Sequence, residues 1–305
     1  MALKAKAPEL IVPKKPHILL SGPSGSGKTS WTIKFPGLYL IDTEGGAENN
    51  QYKRELIKNG GVYMGQAEGS QDFDNVIDEV KSLTTDKHNY QALSIDSISY
   101  LYMLQASQAE ETVGSDYGKD KKEANKPSRK LLRYLEHLDM TTILVAHSKD
   151  KWERKGKEII NAGTTFDFFD KTDYLLDLWL EVWRAPTPAN EWKDGKLIVR
   201  KSRIESMPQG LVFDMTYEKF SELFGKEIIE RKPMPVKLIS EGQLEGIKKL
   251  TVALNISEES QAKVLNGFKA ETWEDLTYDQ AEKCIASLKK KITELDKGEP
   301  NGKTS

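Results

Sequence analysis

The sequence predicts an α/β fold: a mainly parallel sheet with an antiparallel extension, followed by a small C-terminal helical domain. Three observations carry this. Short apolar runs at 17–21, 38–42, 62–64, 91–96 and 141–147 alternate with stretches of helical spacing, the pattern of a parallel sheet covered on both faces. After residue 170 the pattern changes to closely spaced β-rich segments at 174–182, 196–203 and 211–215, with Asp194-Gly195 as a hairpin turn. Past residue 238 only helical stripes remain.

Taken in order, residues 1–16 are rich in Lys and Pro and read as an extended arm. The α/β domain occupies 17–228. Within it Phe73, Val76, Ile77, Val80 and Leu83 repeat at helical spacing, as do Leu131, Leu132, Leu135 and Leu138. A short helix closes the domain near Phe224-Gly225. Residues 229–238, with two prolines and mixed charge, form a linker. The helical domain spans 239–295. Ser240-x-x-Gln243 and Thr277-x-x-Gln280 are capping boxes, and Ser257 starts a helix between them. Leu244, Ile247, Leu250 and Leu254 make one stripe; Ala281, Cys284, Ile285, Leu288 and Ile292 make the other, which places Cys284 in a core. Residues 296–305 read as a disordered tail.

The first apolar run leads into Gly22-Pro23-Ser24-Gly25-Ser26-Gly27-Lys28-Thr29, and Ser30 continues into a helix. Gly-x4-Gly-Lys-[Ser/Thr] between a strand and a helix is a phosphate-binding loop. Its glycines let consecutive backbone N–H groups face the phosphates of a nucleoside triphosphate, and the helix N-terminus adds partial positive charge. Lys28 reaches the β/γ-phosphates and Thr29 offers its hydroxyl to Mg²⁺. The expected ligands are ATP and Mg²⁺.

Hydrolysis needs more than a cradle. The apolar strand 92–96 ends in Asp96, placed to hold Mg²⁺ opposite Thr29. Position 97 is Ser97 and not an acid, so the base for water comes from elsewhere. Glu44, in Asp42-Thr43-Glu44-Gly45-Gly46, lies at the carboxyl edge where ligands of such sheets collect. It is the expected base; Asp42 is the weaker alternative, with a structural role favoured for it. His147, closing the fifth strand on that edge, is the expected γ-phosphate sensor.

Asp42-Thr43-Glu44, Ile95-Asp96-Ser97 and Val145-Ala146-His147 resemble the core of the RecA/RadA/KaiC superfamily, over roughly residues 10–228. Arg200-Lys201-Ser202-Arg203 is similar to the Lys-x-Arg element of RadA and DnaB proteins. That resemblance implies that Lys201 and Arg203 reach a neighbouring subunit's γ-phosphate. Within the superfamily the chain most resembles phage-encoded RecA-like ATPases of the Sak type. This implies DNA-stimulated ATP hydrolysis in single-strand annealing or recombination. It also implies a homo-oligomer, ring or short filament, and a single-strand-binding protein as a possible partner. The departures are His147, where RecA-type proteins carry an amide, and no obvious N-terminal polymerisation module.

The segment after His147 carries Lys149, Lys151, Arg154, Lys155 and Lys157 around Trp152. Cations track phosphates and an aromatic face stacks on bases, so this loop is the expected site for single-stranded DNA. Residues 117–130, with Lys119, Lys121, Lys122, Arg129 and Lys130, are a weaker second candidate, and both read as mobile. Alternative functions are a ring helicase or helicase loader, and a small-molecule kinase; no Arg-rich lid favours the kinase. The net charge of −2 over 305 residues excludes a uniformly basic nucleic-acid coat. One cysteine excludes an intramolecular disulfide framework. With neither an apolar leader nor a membrane span, a cytoplasmic location is expected.

Overall fold

The computed structural model describes residues 13–115, 118–156, 158–183, 195–268 and 270–298. Its strands are β1 (His17–Gly22), β2 (Leu38–Asp42), β3 (Val62–Met64), β4 (Ala92–Asp96), β5 (Thr141–Lys155), β6 (Glu158–Phe166), β7 (Leu178–Trp183), β8 (Lys196–Ser202) and β9 (Val212–Asp214). They form one sheet in the order β3-β2-β4-β5-β1-β7-β8-β9, with β6 paired to β5. From β3 to β7 the neighbours are parallel; β8 and β9 add an antiparallel edge. The expected mixed α/β architecture is therefore present.

Alternation along the strands creates two cores. Leu19, Leu93, Ile95 and Leu144 face helices α3 (Phe73–Thr85), α4 (Ile98–Val113) and α5 (Lys119–His137), meeting Val76, Ile77, Leu101 and Leu131. Ile18, Leu20, Leu40 and Val145 point the other way. They pack on Trp31 of α1 (Lys28–Thr32), Leu56 of α2 (Asn50–Lys58) and Phe220 of α7 (Tyr217–Phe224). Each fully buried aliphatic side chain contributes about 1.5–3 kcal/mol. A one-residue slip of any central strand would expose its whole set, so the register that aligns the site is strongly specified.

Helix α6 (Thr172–Leu175) precedes β7, and α8 (Lys226–Ile229) ends the domain. Helices α9 (Glu241–Ala253), α10 (Glu258–Gly267) and α11 (Tyr278–Gly298) enclose a separate core around Ile247, Leu276, Ala281 and Cys284. The two capping boxes are formed, at Ser240–Gln243 and Thr277–Gln280.

Several expectations are corrected. The segment after His147 is not a loop: β5 runs on to Lys155 and pairs with β6 as a two-stranded ribbon. Residues 119–130 belong to α5, where Ala124 and Ser128 extend the apolar stripe of Leu131 and Leu135. Residues 174–175 lie in α6 and not in a strand. The linker is fastened: Arg231 pairs with Asp139, Lys15 Nζ donates to the Arg231 carbonyl, and Val236 N–H donates to Thr84 O. Lys15 and Pro16 of the arm are buried. Helix α11 reaches Gly298, beyond the start assigned to the tail. Residues 1–12, Tyr117, Lys157, Asp194 and 299–305 lie outside the described residues. Among the described residues no helix is long and apolar enough to cross a membrane.

Candidate active site

The parallel register brings the chemistry to one edge. Gly22 stands beside His147, and Asp42 beside Asp96. β5 lies between β1 and β4, so its end separates the phosphate loop from the strand that ends in Asp96.

The loop itself turns as its sequence demands. Gly27 has φ of +92°, a conformation that costs little only for glycine. A Cβ on Gly22 would sit 2.9 Å from Ser26 Oγ and 3.0 Å from Val182 Cβ, so the loop packs directly on β7. Ser26 Oγ, a hydroxyl of the loop, is buried with no hydrogen-bond partner, an unmet polar atom of the kind a phosphate oxygen would satisfy. Lys28 Nζ donates to the carbonyls of Gly22 and Pro23 at 2.8 and 2.9 Å. Burial lowers its pKa, against the opposing pull of Asp96 and Glu44. Helix α1 is only five residues long and the chain turns away through Phe35-Pro36-Gly37. Beside it a cleft of about 420 Å³ is lined by Gly27, Ser30, Trp31, Lys34, Met215 and Tyr217.

Thr29 Oγ1 donates to Asp96 Oδ2 at 2.6 Å. Burial is the main cause that pushes the Asp96 carboxyl up to about 6; the Thr29 hydrogen bond opposes it and the Glu44 charge adds to it. A buried carboxylate with a hydroxyl alongside and a surplus of nearby negative charge is a donor set that suits a hard divalent cation. The expected Thr29–Asp96 metal pair is thus brought together.

Glu44 is gathered into the same cluster. Its Oε1 lies 2.9 Å from His147 Nε2 and accepts a short hydrogen bond from Ser97 Oγ. Asp42 accepts from the backbone N–H groups of Glu44, Gly46 and Ala47 and so shapes the turn that presents Glu44. Three residues the sequence reading passed over complete the scaffold. Ser97 is both the Glu44 partner and the N-cap of α4. Thr43 Oγ1 donates to Ser97 O and accepts from Ser97 N–H, tying the end of β2 to the end of β4. Ser99 Oγ accepts the His147 N–H at 2.9 Å. A hydroxyl residue directly after each strand-ending aspartate was the available signal.

Lys201 and Arg203 stand apart. They lie at the opposite edge of the sheet, where β8 pairs with the start of β7. Lys201 Nζ donates to Leu176 O, and Arg203 Nη2 to Tyr174 O. Neither reaches the phosphate loop of its own chain.

The matched family decides the class. A family model described as an AAA domain matches residues 14–187, more than half of the chain. The chain belongs to this AAA domain family. No curated protein matches it. Membership makes the chain a nucleotide-binding, ATP-binding P-loop NTPase. The AAA domain match ends just past β7, so it takes in the phosphate loop, Glu44, Asp96 and His147 and leaves out β8, with Lys201 and Arg203.

The ribbon that carries the remaining candidates sorts them by face. Directly opposed residues of antiparallel strands share a face. Trp152 opposes Asn161 and Arg154 opposes Ile159. Trp152 is 61% and Ile159 69% exposed. The other face holds Lys151, which pairs with Glu153, and Lys155, opposite Glu158. Lys149 pairs with Asp167 at 2.9 Å. Trp152 and Arg154 are therefore brought together, and Lys149, Lys151 and Lys155 are not with them.

Proposed function

We propose that this AAA-domain protein hydrolyses ATP with Mg²⁺ and acts on single-stranded DNA in recombination or annealing, as a homo-oligomer. Glu44 takes the proton of the attacking water as its oxygen bonds to the γ-phosphorus and the bond to ADP breaks. Ser97 and His147 both engage Oε1, which leaves Oε2 as the accepting oxygen. Thr29 and Asp96 would hold Mg²⁺, which supplies Lewis-acid neutralisation of the phosphate oxygens. Lys28 leaves its loop carbonyls for the β/γ-phosphates, and the cleft beside Ser30 takes the nucleoside.

One observation carries the DNA reading. The strand that reaches the carboxyl edge at His147 continues unbroken into a ribbon, one face of which carries an exposed tryptophan and an arginine. Trp152 lies five positions beyond His147, about 17 Å of extended chain. An aromatic face beside a cation suits bases and phosphates of a flexible single strand without sequence preference. The test is ATP turnover with and without oligo(dT). Stimulation by the oligonucleotide, lost on changing Trp152 and Arg154 to alanine, supports this function; unaltered turnover at saturating oligonucleotide removes it.

A further inference from the structure

The ribbon is fastened to the sheet on a second side, through a buried carboxylate outside the site described above. Glu181 of β7 is 9% exposed. Its Oε1 accepts from Thr164 Oγ1 of β6 at 2.8 Å. Its Oε2 accepts from both Nε and Nη2 of Arg200. The pairing of β7 with β8 shifts between Trp179 and Leu180, and Arg200 is the extra residue on β8. A bulge of this kind re-aims a side chain, here onto Glu181.

What β7 does at this level gives the contact its meaning. Glu181 stands beside Ser21, the residue before Gly22. Val182, the next residue along, is the wall on which Gly22 packs. A second bridge runs parallel: Phe166 of β6 packs edge-on to Trp179 at 5.2 Å, and Trp179 Nε1 donates to Ser21 Oγ at 2.8 Å. The ribbon is therefore joined to both flanks of the phosphate loop: through β5 to His147 and Glu44, and through Thr164 to Glu181.

We propose that Glu181 is a positioning residue that couples the phosphate loop to the ribbon, with Thr164 as the link and Arg200 as the counter-charge that holds the carboxylate in place. Movement of the loop wall when nucleotide fills the cradle is carried to β6 through this hydrogen bond. The proposal rests on nucleotide binding at the loop and is independent of what the ribbon binds.

The experiment uses the full chain and a slowly hydrolysed ATP analogue with Mg²⁺. Amide hydrogen exchange is measured over residues 148–166, and analogue affinity is measured separately. The expected native result is a change in ribbon exchange of about fivefold on analogue binding, the equilibrium shift that one hydrogen bond supplies. Thr164→Val is nearly isosteric and leaves the Glu181–Arg200 pair intact; it should lose that response while analogue affinity stays within about twofold. Glu181→Gln is expected to do the same, and its circular dichroism checks the fold. A merely structural ion pair would alter melting temperature and leave the response in place. A native response retained in Thr164→Val, or no native response despite analogue binding, overturns the coupling. Failure of the native chain to bind the analogue overturns the nucleotide reading and this proposal together.

Discussion

Ser97 Oγ donates to Glu44 Oε1, the same oxygen that His147 Nε2 approaches at 2.9 Å. The residue that stands where an acid was sought is thus bonded to the acid found in the turn after β2. Ser97→Ala removes this donor but not the carboxylate. ATP turnover should fall about tenfold, equivalent to ~1.4 kcal/mol of lost transition-state stabilisation, with nucleotide affinity unchanged. Single-turnover rates beside equilibrium binding check it; a loss as large as that of removing Glu44 would make Ser97 more than an orienting group.

Asp96 supplies a pH prediction with a definite sign. Its carboxyl is raised from 3.8 to about 6 in the folded chain, chiefly by burial. The folded state therefore binds the proton more tightly, so this contribution to stability is present below the unfolded pKa and is lost as pH rises through about 6. Asp96→Asn should stabilise the nucleotide-free protein at pH 7.5 by up to about 3 kcal/mol and flatten its melting profile between pH 4 and 6. The same variant should lose the Mg²⁺-dependent rise in melting temperature that ATP gives the native chain. Thermal melts across pH, with and without Mg²⁺ and ATP, decide both parts.

The two faces of the ribbon are expected to differ. Changing Trp152 and Arg154 to alanine removes a stacking surface worth about 1–3 kcal/mol per base and one phosphate contact. Oligo(dT) affinity should drop at least tenfold and the salt slope should fall by about one. Changing Lys151 and Lys155 should leave affinity within about twofold at 150 mM salt, since their face carries Glu153 and Glu158. Anisotropy titrations at several salt concentrations compare the pairs; equal losses would refute the assignment to one face.

Much of this was legible in the sequence because a buried face writes its period into the residues. The five core strands and α3 follow that rule, and the strand ends place Thr29 beside Asp96 and Glu44 beside His147. The ribbon did not show because both its faces meet solvent, so 148–160 has no apolar alternation and its order comes from the backbone ladder. The first half of α5 was hidden for another reason: Ala124 and Ser128 fill its buried stripe, and neither registers as hydrophobic. Thr43 and Ser97 left only the signal of a hydroxyl after each strand-ending aspartate, and Ser99 left none, because a hydroxyl declares no role until its partner is placed.

Lys201 and Arg203 lie at the edge away from their own loop, so any action on phosphate must come from a neighbouring copy. We expect specific ATPase activity to rise with protein concentration. Arg203→Ala alone should lose about 10³-fold or more in rate, the contribution of such a finger. Mixing it with Glu44→Gln should restore activity, because a finger-intact subunit can then face a base-intact one. Activity independent of concentration, with no recovery on mixing, assigns both residues to fastening α6.

Glu44, as the proposed base of an ATP-hydrolysing site, is open to direct measurement. The direct measurement is pre-steady-state ATP hydrolysis by Glu44→Gln beside ATP binding by the same protein. The amide keeps the shape and still accepts from Ser97, yet it cannot take a proton from water. Unchanged ATP affinity with the hydrolytic step slowed by about 10²–10⁴, the contribution of a general base, is the predicted result. A hydrolysis rate equal to that of the native chain would contradict it.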